Sequence, residues 1–350
     1  MFKQQNKPGK RESMIGLDFG SSQIKAAVVK REGESYVLSE YAVRKLPVVA
    51  NRVGNEATFA AELTELLAAL KTSERRACVT ISCPSAMVCH TEFPRMPMDE
   101  IKSALKLNSA RYLRRDFSNY YLDAVELTDG NGKDKGKKSA KMKILVGGAT
   151  KEEVTWYRNV LQAAKLRPEA IELSAISVVS ALQVGHPELC EKHAVLLVDI
   201  GARLTTINFV QCGQPVMTRI MHFGGQLICE SVAQALTLKP AEAEEEVLRL
   251  SEPVEALVRT AIAPLAREIR SSIDFFERQH ECPVEKLLAC GGTALSARIM
   301  EFISTDVGMP IAAWNPIEKF ETSHFNGDSG ILLALAPSLA AAVGAAASRV

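Results

Sequence analysis

Two segments of the chain repeat one pattern of residues. The first, IGLDFGSSQIKAAVV, begins at Ile15, and the second, LLVDIGARLTTINFV, begins at Leu196. Each places an aspartate, Asp18 or Asp199, at the end of an apolar run, and then continues with a glycine turn and a second apolar run. A single DxG would be interpreted as a tight turn without a ligand, but two copies in register disfavour that alternative. The duplication predicts two similar α/β halves that present their aspartate turns to a shared cleft.

The residue types at these turns are typical of a site for phosphate and magnesium. A glycine turn after a strand allows backbone N–H groups to approach phosphate oxygens closely. Hydroxyls can donate hydrogen bonds, a lysine supplies positive charge, and the facing carboxylates of Asp18 and Asp199 can hold a hydrated Mg²⁺. Further glycine turns occur at GG from position 224 and in CGGTAL from position 290. The predicted nucleotide-binding residues are Asp18, Gly20, Ser21, Ser22, Lys25, Asp199, Gly201, Thr205, Thr206, Gly224, Gly225, Gly291, Gly292 and Thr293.

The length and the order of the predicted elements divide the chain into several regions. A chain of 350 residues is long for one hydrophobic core and comfortable for two. Near Pro84 the α/β pattern gives way to an α+β pattern, and it resumes with the second aspartate turn. The predicted regions are a flexible basic tail (1–13), a first lobe (14–85), an inserted small α+β module (86–172), a helix returning to the first lobe (173–192), and a second lobe (193–350) with a helical subdomain at about 225–285.

Charge and cysteine content disfavour some classes of function. The net charge of +1 gives no indication of a nucleic-acid partner. The eight cysteines include no CxxC pair, which disfavours a zinc site and favours buried, reduced thiols. The lysine-rich loop DGNGKDKGKKSA is interpreted as a solvated hairpin tip, with a contact to lipid or an acidic partner as the alternative. The histidines interpreted as structural or exposed are His90, His186, His222 and His324.

Two segments bear on membrane association. The N-terminal MFKQQNKPGKRES has no apolar run of the signal-peptide kind, which predicts a cytoplasmic protein. From Gly330 to Ala347, the segment GILLALAPSLAAAVGAAA is uncharged and about long enough to span a bilayer. Because it is mostly alanine and contains Pro337 and Gly344, a packed core helix is the favoured interpretation and a membrane span is the alternative.

The turns carry a likeness to a known superfamily. LDFGSSQIK resembles the first phosphate loop of the actin-like ATPases, including the lysine seven residues after the aspartate. VDIGARLTTI resembles their second phosphate loop, and LLACGGTAL resembles their adenosine loop. The resemblance implies the two-lobed actin-like (ribonuclease H-like) α/β fold, with ATP and Mg²⁺ held between the lobes.

Within that superfamily, the chain resembles the PilM family of type IV pilus assembly proteins, and next the FtsA family of division proteins. FPRMPMDEIKSALKLNSARYL and ATKEEVTWYRNVLQAAKLRPEAIEL are similar to two helical stretches of the small domain that both families insert in the first lobe. LAREIRSSIDFFERQ and the closing APSLAAAVGAAASR also resemble PilM segments. The likeness covers most of the chain from about Met14, and it implies that the alanine-rich segment is a helix of the second lobe.

Departures from the superfamily pattern concern the chemistry. Members commonly have Ala-Glu-x-x-Lys on the helix that reaches the ribose and adenine. Here Ala243 and Glu244 match, which adds Glu244 to the predicted nucleotide-binding residues, whereas Val247 replaces the lysine. A loose alignment puts Ser177 at the place of the glutamine that orients water in actin. Phosphoryl transfer depends on such a group, so we predict at most a slow ATPase and assign no catalytic residue.

The resemblance implies a cytoplasmic scaffold that is peripheral at the inner membrane through its partners, in a type IV pilus or related secretion platform. Beside other platform proteins, it would bind the N-terminal cytoplasmic peptide of a PilN-like single-span membrane protein, in a groove between the inserted module and the first lobe. The candidate groove residues are Arg111, Arg114 and Arg115, on a helix predicted from Asp99 to Arg115.

Two alternatives to the scaffold remain from the sequence. A small-molecule kinase on the same core would need a substrate-side base, and we find no convincing Asp or His constellation for one. An FtsA-like filament former is expected to finish with a basic amphipathic helix, whereas this sequence closes with AAASRV.

Overall fold

The computed structural model describes residues 13–47, 49, 52–127, 140–192, 194–322, 325 and 327–350. Most of the predicted N-terminal tail, nearly all of the lysine-rich loop, and His324 lie outside the described residues. The strands are β1 (Ser13–Phe19), β2 (Gln23–Glu32), β3 (Ser35–Lys45), β4 (Arg76–Ile81), β5 (Met87–Pro94), β6 (Tyr120–Leu127), β7 (Lys141–Thr150), β8 (Arg167–Leu173), β9 (Ala194–Ile200), β10 (Thr205–Gln211), β11 (Gln214–Met221), β12 (Val284–Cys290) and β13 (Ile311–Ala313). The α-helices are α1 (Glu56–Ala69), α2 (Met98–Leu107), α3 (Ser109–Leu113), α4 (Lys151–Ala163), α5 (Ser174–Gly185), α6 (Pro187–Lys192), α7 (Gly225–Leu236), α8 (Pro240–Arg249), α9 (Glu252–His280), α10 (Ala297–Val307), α11 (Ser329–Leu335) and α12 (Ala340–Ala347).

Two five-stranded sheets repeat one topology. The first has the order β3-β2-β1-β4-β8, and the second has the order β11-β10-β9-β12-β13. In each sheet, the strand that ends near the aspartate pairs antiparallel with the strand after the turn and parallel with a later strand. The duplicated sequence pattern is therefore the β1–β2 and β9–β10 hairpins, and the predicted α/β architecture of two similar lobes is confirmed.

Both sheets are covered on two faces, which explains why their central strands are continuous apolar runs. All residues of β1 after Ser13 are buried. The helices α1 and α4 cover one face of the first sheet. There Phe59 of α1 and Phe19 of β1 each pack edge to face with Trp156 of α4. In the second lobe, α7, α8 and α9 share one core with the sheet, and Phe276 of α9 stacks on Phe209 with ring centroids 4.6 Å apart.

The inserted module is a three-stranded antiparallel sheet of order β5-β7-β6 that packs against α2 and α3. The single helix predicted from Asp99 to Arg115 is two helices in the structure. Asn108 interrupts it, because this residue adopts a non-helical conformation and its side chain accepts a hydrogen bond from the N–H of Arg111 at 3.1 Å. Asp99, the predicted start of the helix, lies inside the first turn, and Pro97 takes the cap position.

The module is shorter than the predicted range of 86–172. The strand β8 pairs parallel with β4, and α4 contributes its buried residues to the core of the first sheet. The module's last strand ends at Thr150, whose hydroxyl caps α4 by accepting a hydrogen bond from the N–H of Glu153 at 3.3 Å. The amphipathic pattern of α4 predicts a buried face but does not identify the sheet that this face covers, and the predicted inclusion of residues 151–172 in the module is therefore wrong.

The alanine-rich segment packs on the first sheet, and its predicted place in the second lobe is wrong. The helix α12 lies against β1, β2, β4 and α5, and all of its residues are buried. A Cβ on Gly16 would lie 1.9 Å from the carbonyl oxygen of Ala342, so the two backbones touch and only small residues fit. By length and composition alone, Ser329–Ala347 would suffice to cross a membrane, yet 72% of its most apolar window is buried inside the protein. This burial agrees with the packed-helix interpretation.

Candidate functional site

The first aspartate turn holds a buried ion pair. Asp18 and Lys25 stand opposite each other in the β1–β2 hairpin, and Nζ of Lys25 lies 3.3 Å from Oδ2 of Asp18. Both side chains are about one-tenth exposed. Ser21 and Ser22 form the turn between them, and the carbonyl of Ser22 accepts a hydrogen bond from the N–H of Leu46 at 2.8 Å. The antiparallel register therefore places the predicted lysine beside the predicted carboxylate.

The other three glycine turns meet at one carbonyl. The oxygen of Gly201 accepts hydrogen bonds from the N–H of Gly225 at 3.0 Å and from the hydroxyl of Thr293 at 3.1 Å. A Cβ on Gly224 would lie 2.4 Å from the carbonyl carbon of Ala202, which shows how closely the two backbones approach. The second aspartate turn, the start of α7 and the turn after β12 thus form one connected surface.

The turn after β12 also contacts the second aspartate directly. Gly291 has φ of +90°, and a Cβ there would lie 2.5 Å from Oδ1 of Asp199. Its neighbour Gly292 is different, because it has a helical φ of −64° and a Cβ there would meet nothing within 4 Å. Of the two glycines in this turn, only Gly291 occupies a position where the backbone geometry requires a glycine.

Electrostatics connect the two aspartate turns across the lobes. Burial and, to a smaller extent, the carboxylate of Asp18 raise the pKa of Asp199 to about 6, although Lys25 opposes the rise. Burial also raises the pKa of the neighbouring thiol of Cys290, and the charge of Asp199 adds to that effect. The carboxylate of Asp18 thus disfavours the ionised form of Asp199, and a cation placed between the two would relieve this repulsion.

The donor set fits a hydrated magnesium ion bound together with phosphate. Asp18 and Asp199 supply hard carboxylate oxygens, which Mg²⁺ prefers, and Mg²⁺ usually completes its shell with waters and substrate phosphates. Among the described residues, no group of three or more His, Cys, Asp or Glu side chains could hold a metal ion. A divalent cation here would therefore need ligands beyond the two aspartates.

Several residues singled out in the sequence have other partners. The buried hydroxyl of Thr205 donates to the carbonyl of Phe223 at 2.9 Å, and Thr206 is buried as well. The hydroxyl of Ser177 is fully buried and donates to Oε2 of Glu172 at 3.0 Å. Ser177 therefore does not take the place of a water-orienting glutamine.

Glu244 lies on α8 and reaches the opposite lobe. Its Oε1 is 3.7 Å from Nζ of Lys45, the last residue of β3, and both side chains are more than half exposed. Lys45 pairs with Gln23, directly after the first turn. Val247, at the position of the superfamily's lysine, is buried in the core of the second lobe. The cation near Glu244 is thus supplied from the first lobe.

Sequence reasoning missed Arg52, which lies behind the first turn. Its Nη1 donates to the carbonyl of Phe19 at 3.4 Å and to the hydroxyl of Tyr157 at 3.1 Å, and its Nη2 donates to the carbonyl of Gly20. The guanidinium carbon lies 5.7 Å from the ring centroid of Phe59 and 5.8 Å from that of Trp156. No motif marks this arginine, because its partners are distant in sequence.

The three arginines of the predicted groove lie on the inserted module, away from the aspartate turns, and all three are exposed. Arg111 lies over the ring of Tyr112 and Arg115 over the ring of Phe117, at 5.7 and 5.9 Å from the ring centroids. Arg114 ends α3 in the left-handed conformation, with φ of 58°. Two of the three thus have an aromatic neighbour, and all three guanidinium groups remain accessible to a partner.

Among the residues that the structure describes, the histidines and cysteines add no second site. His90 in β5 contacts the second lobe, where its Nε2 lies 2.8 Å from the carbonyl oxygen of Pro215. His186 bonds to Glu188, and His222 is exposed. None of the eight cysteines forms a disulfide, but the predicted burial holds for half of them, since four are only partly buried, namely Cys89, Cys212, Cys229 and Cys282.

Comparison with known proteins identifies a family to which the chain is similar over nearly its whole length. A family model described as type IV pilus assembly protein PilM matches residues 16–350. Among solved structures, a PilM–PilN type IV pilus biogenesis complex matches with a TM-score of 0.84 and 23% identity, over 97% of this chain and 98% of that chain.

Two other solved structures match at lower similarity. The ethanolamine utilization protein EutJ from Carboxydothermus hydrogenoformans matches with a TM-score of 0.58 and 15% identity, over 98% of this chain and 91% of that one. MreB 5 of Spiroplasma citri bound to AMPPNP matches with a TM-score of 0.50 and 13% identity, over 87% and 92%. At these identities the likeness concerns the fold, which is the predicted two-lobed actin-like fold.

Proposed function

The chain belongs to the PilM family of type IV pilus assembly proteins, and from this premise we propose that it is a nucleotide-binding scaffold of the inner-membrane platform that assembles the pilus. The observation that carries the nucleotide part is the convergence of Asp18, Lys25 and Asp199 between the lobes, against the turn that contains Gly291. This arrangement combines two carboxylates, a cation and glycine turns, which is the chemistry of a magnesium–triphosphate site.

Each of these residues has a role in the proposal. Asp18 and Asp199 hold Mg²⁺ through its waters, and Lys25 neutralises phosphate charge. Gly291 lets the turn after β12 approach Asp199, and Glu244 accepts a hydrogen bond from the sugar. A bound nucleotide would supply phosphate oxygens as further metal ligands, and the two aspartate turns, one from each lobe, would hold it from both sides. A solved relative of this fold is described as bound to AMPPNP, which supports ATP as the ligand.

Turnover by this site is proposed to be slow. Ser177 is buried against Glu172 and cannot orient a water molecule in the cleft. Positioning of the attacking water is a main catalytic part of phosphoryl transfer. ATP would then serve to hold a closed state that binds partners, and a working kinase is not favoured by any described side chain.

The partner is proposed from the solved complex, which pairs a PilM with a PilN. We propose that this chain binds the N-terminal cytoplasmic peptide of a PilN-like single-span membrane protein, in a groove between the inserted module and the first lobe. The exposed arginines of the module would attract an acidic or polar segment of that peptide. The protein would then lie in the cytoplasm, held at the inner membrane by this partner and other platform proteins.

Titration calorimetry tests the two binding claims separately. Magnesium–ATP and a synthetic peptide of the partner's N-terminus are each titrated into the full chain, with a scrambled peptide as the control. Heat from ATP that disappears in Asp199→Ala, and heat from the native peptide but not the scrambled one, support the proposal. No signal and no thermal shift at millimolar ATP would refute the nucleotide part. Steady turnover of tens per second, lost in Asp199→Ala, would refute the scaffold in favour of an enzyme.

A further inference from the structure

Arg52 binds the backbone of the first turn from behind. Its fork reaches two successive carbonyls, those of Phe19 and Gly20, and the hydroxyl of Tyr157. A planar guanidinium can bridge several acceptors at fixed angles, which the single ammonium of a lysine cannot do. These carbonyls belong to the residues that follow Asp18, so this arginine acts on the segment where the strand turns away.

The two carbonyl contacts determine where the following amides point. In a trans peptide the C=O and the next N–H point in opposite directions, and no peptide bond among the described residues is cis. Because Arg52 binds the oxygens of Phe19 and Gly20, the N–H groups of Gly20 and Ser21 are directed away from it. Amides that project together from a glycine turn are the usual donors to phosphate oxygens.

Arg52 is itself held in place by three aromatic side chains. The guanidinium lies over Phe59 and Trp156, where cation–π attraction favours the charged group. The indole N–H of Trp156 donates to the carbonyl of Arg52 at 2.7 Å, which fixes the backbone as well. Trp156 and Tyr157 lie on α4, the helix that starts where the inserted module ends. The side chain of Arg52 therefore joins α4 to the first turn.

We propose that Arg52 is a positioning residue of the nucleotide site: it orients the peptide planes after Asp18 so that the amides of Gly20 and Ser21 meet the phosphates. The inference rests on the proposed nucleotide binding and adds a residue outside all four glycine turns. The inference predicts that substitution of Arg52 lowers the affinity only for ligands that carry phosphate.

The test compares ATP with adenosine in four proteins, namely the wild type, Arg52→Ala, Arg52→Lys and the control Arg44→Ala. Arg44 is a suitable control because its guanidinium binds Glu62 of α1 in the same lobe, and none of its described contacts is to the first turn. Affinities are measured by displacement of a fluorescent ATP analogue, and melting temperatures are recorded without ligand. Arg52→Ala is expected to weaken ATP binding on the order of tenfold and to leave adenosine binding unchanged. The ATP affinity of Arg52→Lys should lie between those of Arg52→Ala and the wild type, and the ATP affinity of Arg44→Ala should equal that of the wild type.

Two results would overturn the inference. One is unchanged ATP affinity in Arg52→Ala, and the other is an equal loss for ATP and adenosine, which would indicate a general folding role. If Arg52→Ala does not fold, Arg52→Lys and Tyr157→Phe keep the test intact, since each alters the contacts of the fork while retaining the charge. Failure of the wild type to bind ATP would instead refute the proposed function.

Discussion

Gly291 packs against the carboxylate of Asp199 so closely that a Cβ would lie 2.5 Å from Oδ1. Such a distance is far inside van der Waals contact, and the same Cβ would also meet the carbonyl oxygen of Ile200 at 2.5 Å. The positive φ of Gly291 adds backbone strain for any other residue. The turn after β12 and the second aspartate turn therefore behave as one unit.

Gly291→Ala is expected to destabilise the second lobe and weaken ATP binding. Backbone strain alone costs about 1–3 kcal/mol, and the contact with Asp199 adds to it. Thermal unfolding with and without ATP measures both effects. Gly292→Ala is the matched control, because its φ is helical and a Cβ there meets nothing within 4 Å. Equal effects of the two substitutions would contradict the assigned packing.

Lys25→Met should lower stability and reduce stabilisation by ATP. The change leaves Asp18 buried without its ammonium partner, and breaking a buried pair costs up to about 3–5 kcal/mol. The double variant Asp18→Asn with Lys25→Met should recover stability but not ATP binding, since the positive charge is still absent. Denaturant unfolding and calorimetry separate the two quantities. Lys30→Met, on the exposed end of β2, should change neither.

The stability of the ligand-free protein should depend on pH through Asp199. Its folded pKa of about 6 lies above the ordinary aspartate value of 3.8, so the folded state binds the proton more tightly than the unfolded state. The favourable contribution of Asp199 is therefore present at pH 4 and is lost as pH rises through 6. Relative to wild type, Asp199→Asn should gain stability across that range in denaturant unfolding. Glu65→Gln, at an exposed position, serves as the control. If the difference in unfolding free energy between Asp199→Asn and the wild type does not vary with pH, the raised pKa of Asp199 is contradicted.

Reversing Lys45 or Glu244 should separate the lobes. Lys45→Glu and Glu244→Lys each place like charges where an attractive pair now lies at 3.7 Å. The radius of gyration from small-angle scattering should rise at low salt in each variant and return to the wild-type value in the double reversal. The pair is largely exposed, so the effect should fade near 1 M salt, where the Debye length is about 3 Å. A change that persists in the double variant would show that charge is not the cause.

Arg114→Glu combined with Arg115→Glu should weaken binding of the partner peptide and leave ATP binding unchanged. Charge reversal at a rim acts mainly on the association rate and its salt dependence, so surface plasmon resonance at two salt concentrations is the suitable measurement. The exposed lysine Lys286 of the second lobe provides a control as Lys286→Glu. If peptide affinity survives the double reversal, these arginines do not border the groove.

The aspartate turns could be predicted from sequence because everything that defines them is local. Asp18 and Lys25 are close in sequence, and the antiparallel register of β1 and β2 brings them together. Gly291 could be proposed for the site from its glycine run, but its contact with Asp199 required the parallel pairing of β12 with β9.

Most of the errors concern contacts between distant segments, and one concerns a local helix cap. Arg52 carries no motif, and its contacts with Phe19 and Tyr157 exist only once three elements have packed. The break at Asn108 depends on a side-chain cap that competes with a continuous helical pattern. The apolar residues of a helix such as α4 or α12 indicate that the helix is buried, but they do not identify the sheet against which it packs.

The packing of α12 on β1 has a consequence for biosynthesis. During translation β1 is made before the other described strands, whereas α12, which covers one of its faces, is made after all of them, and Gly16 cannot contact Ala342 before then. The first lobe therefore keeps an apolar surface open while the rest of the chain leaves the ribosome. Such a nascent chain is exposed to aggregation until α12 docks, and chaperones that cover apolar surface would act during this interval.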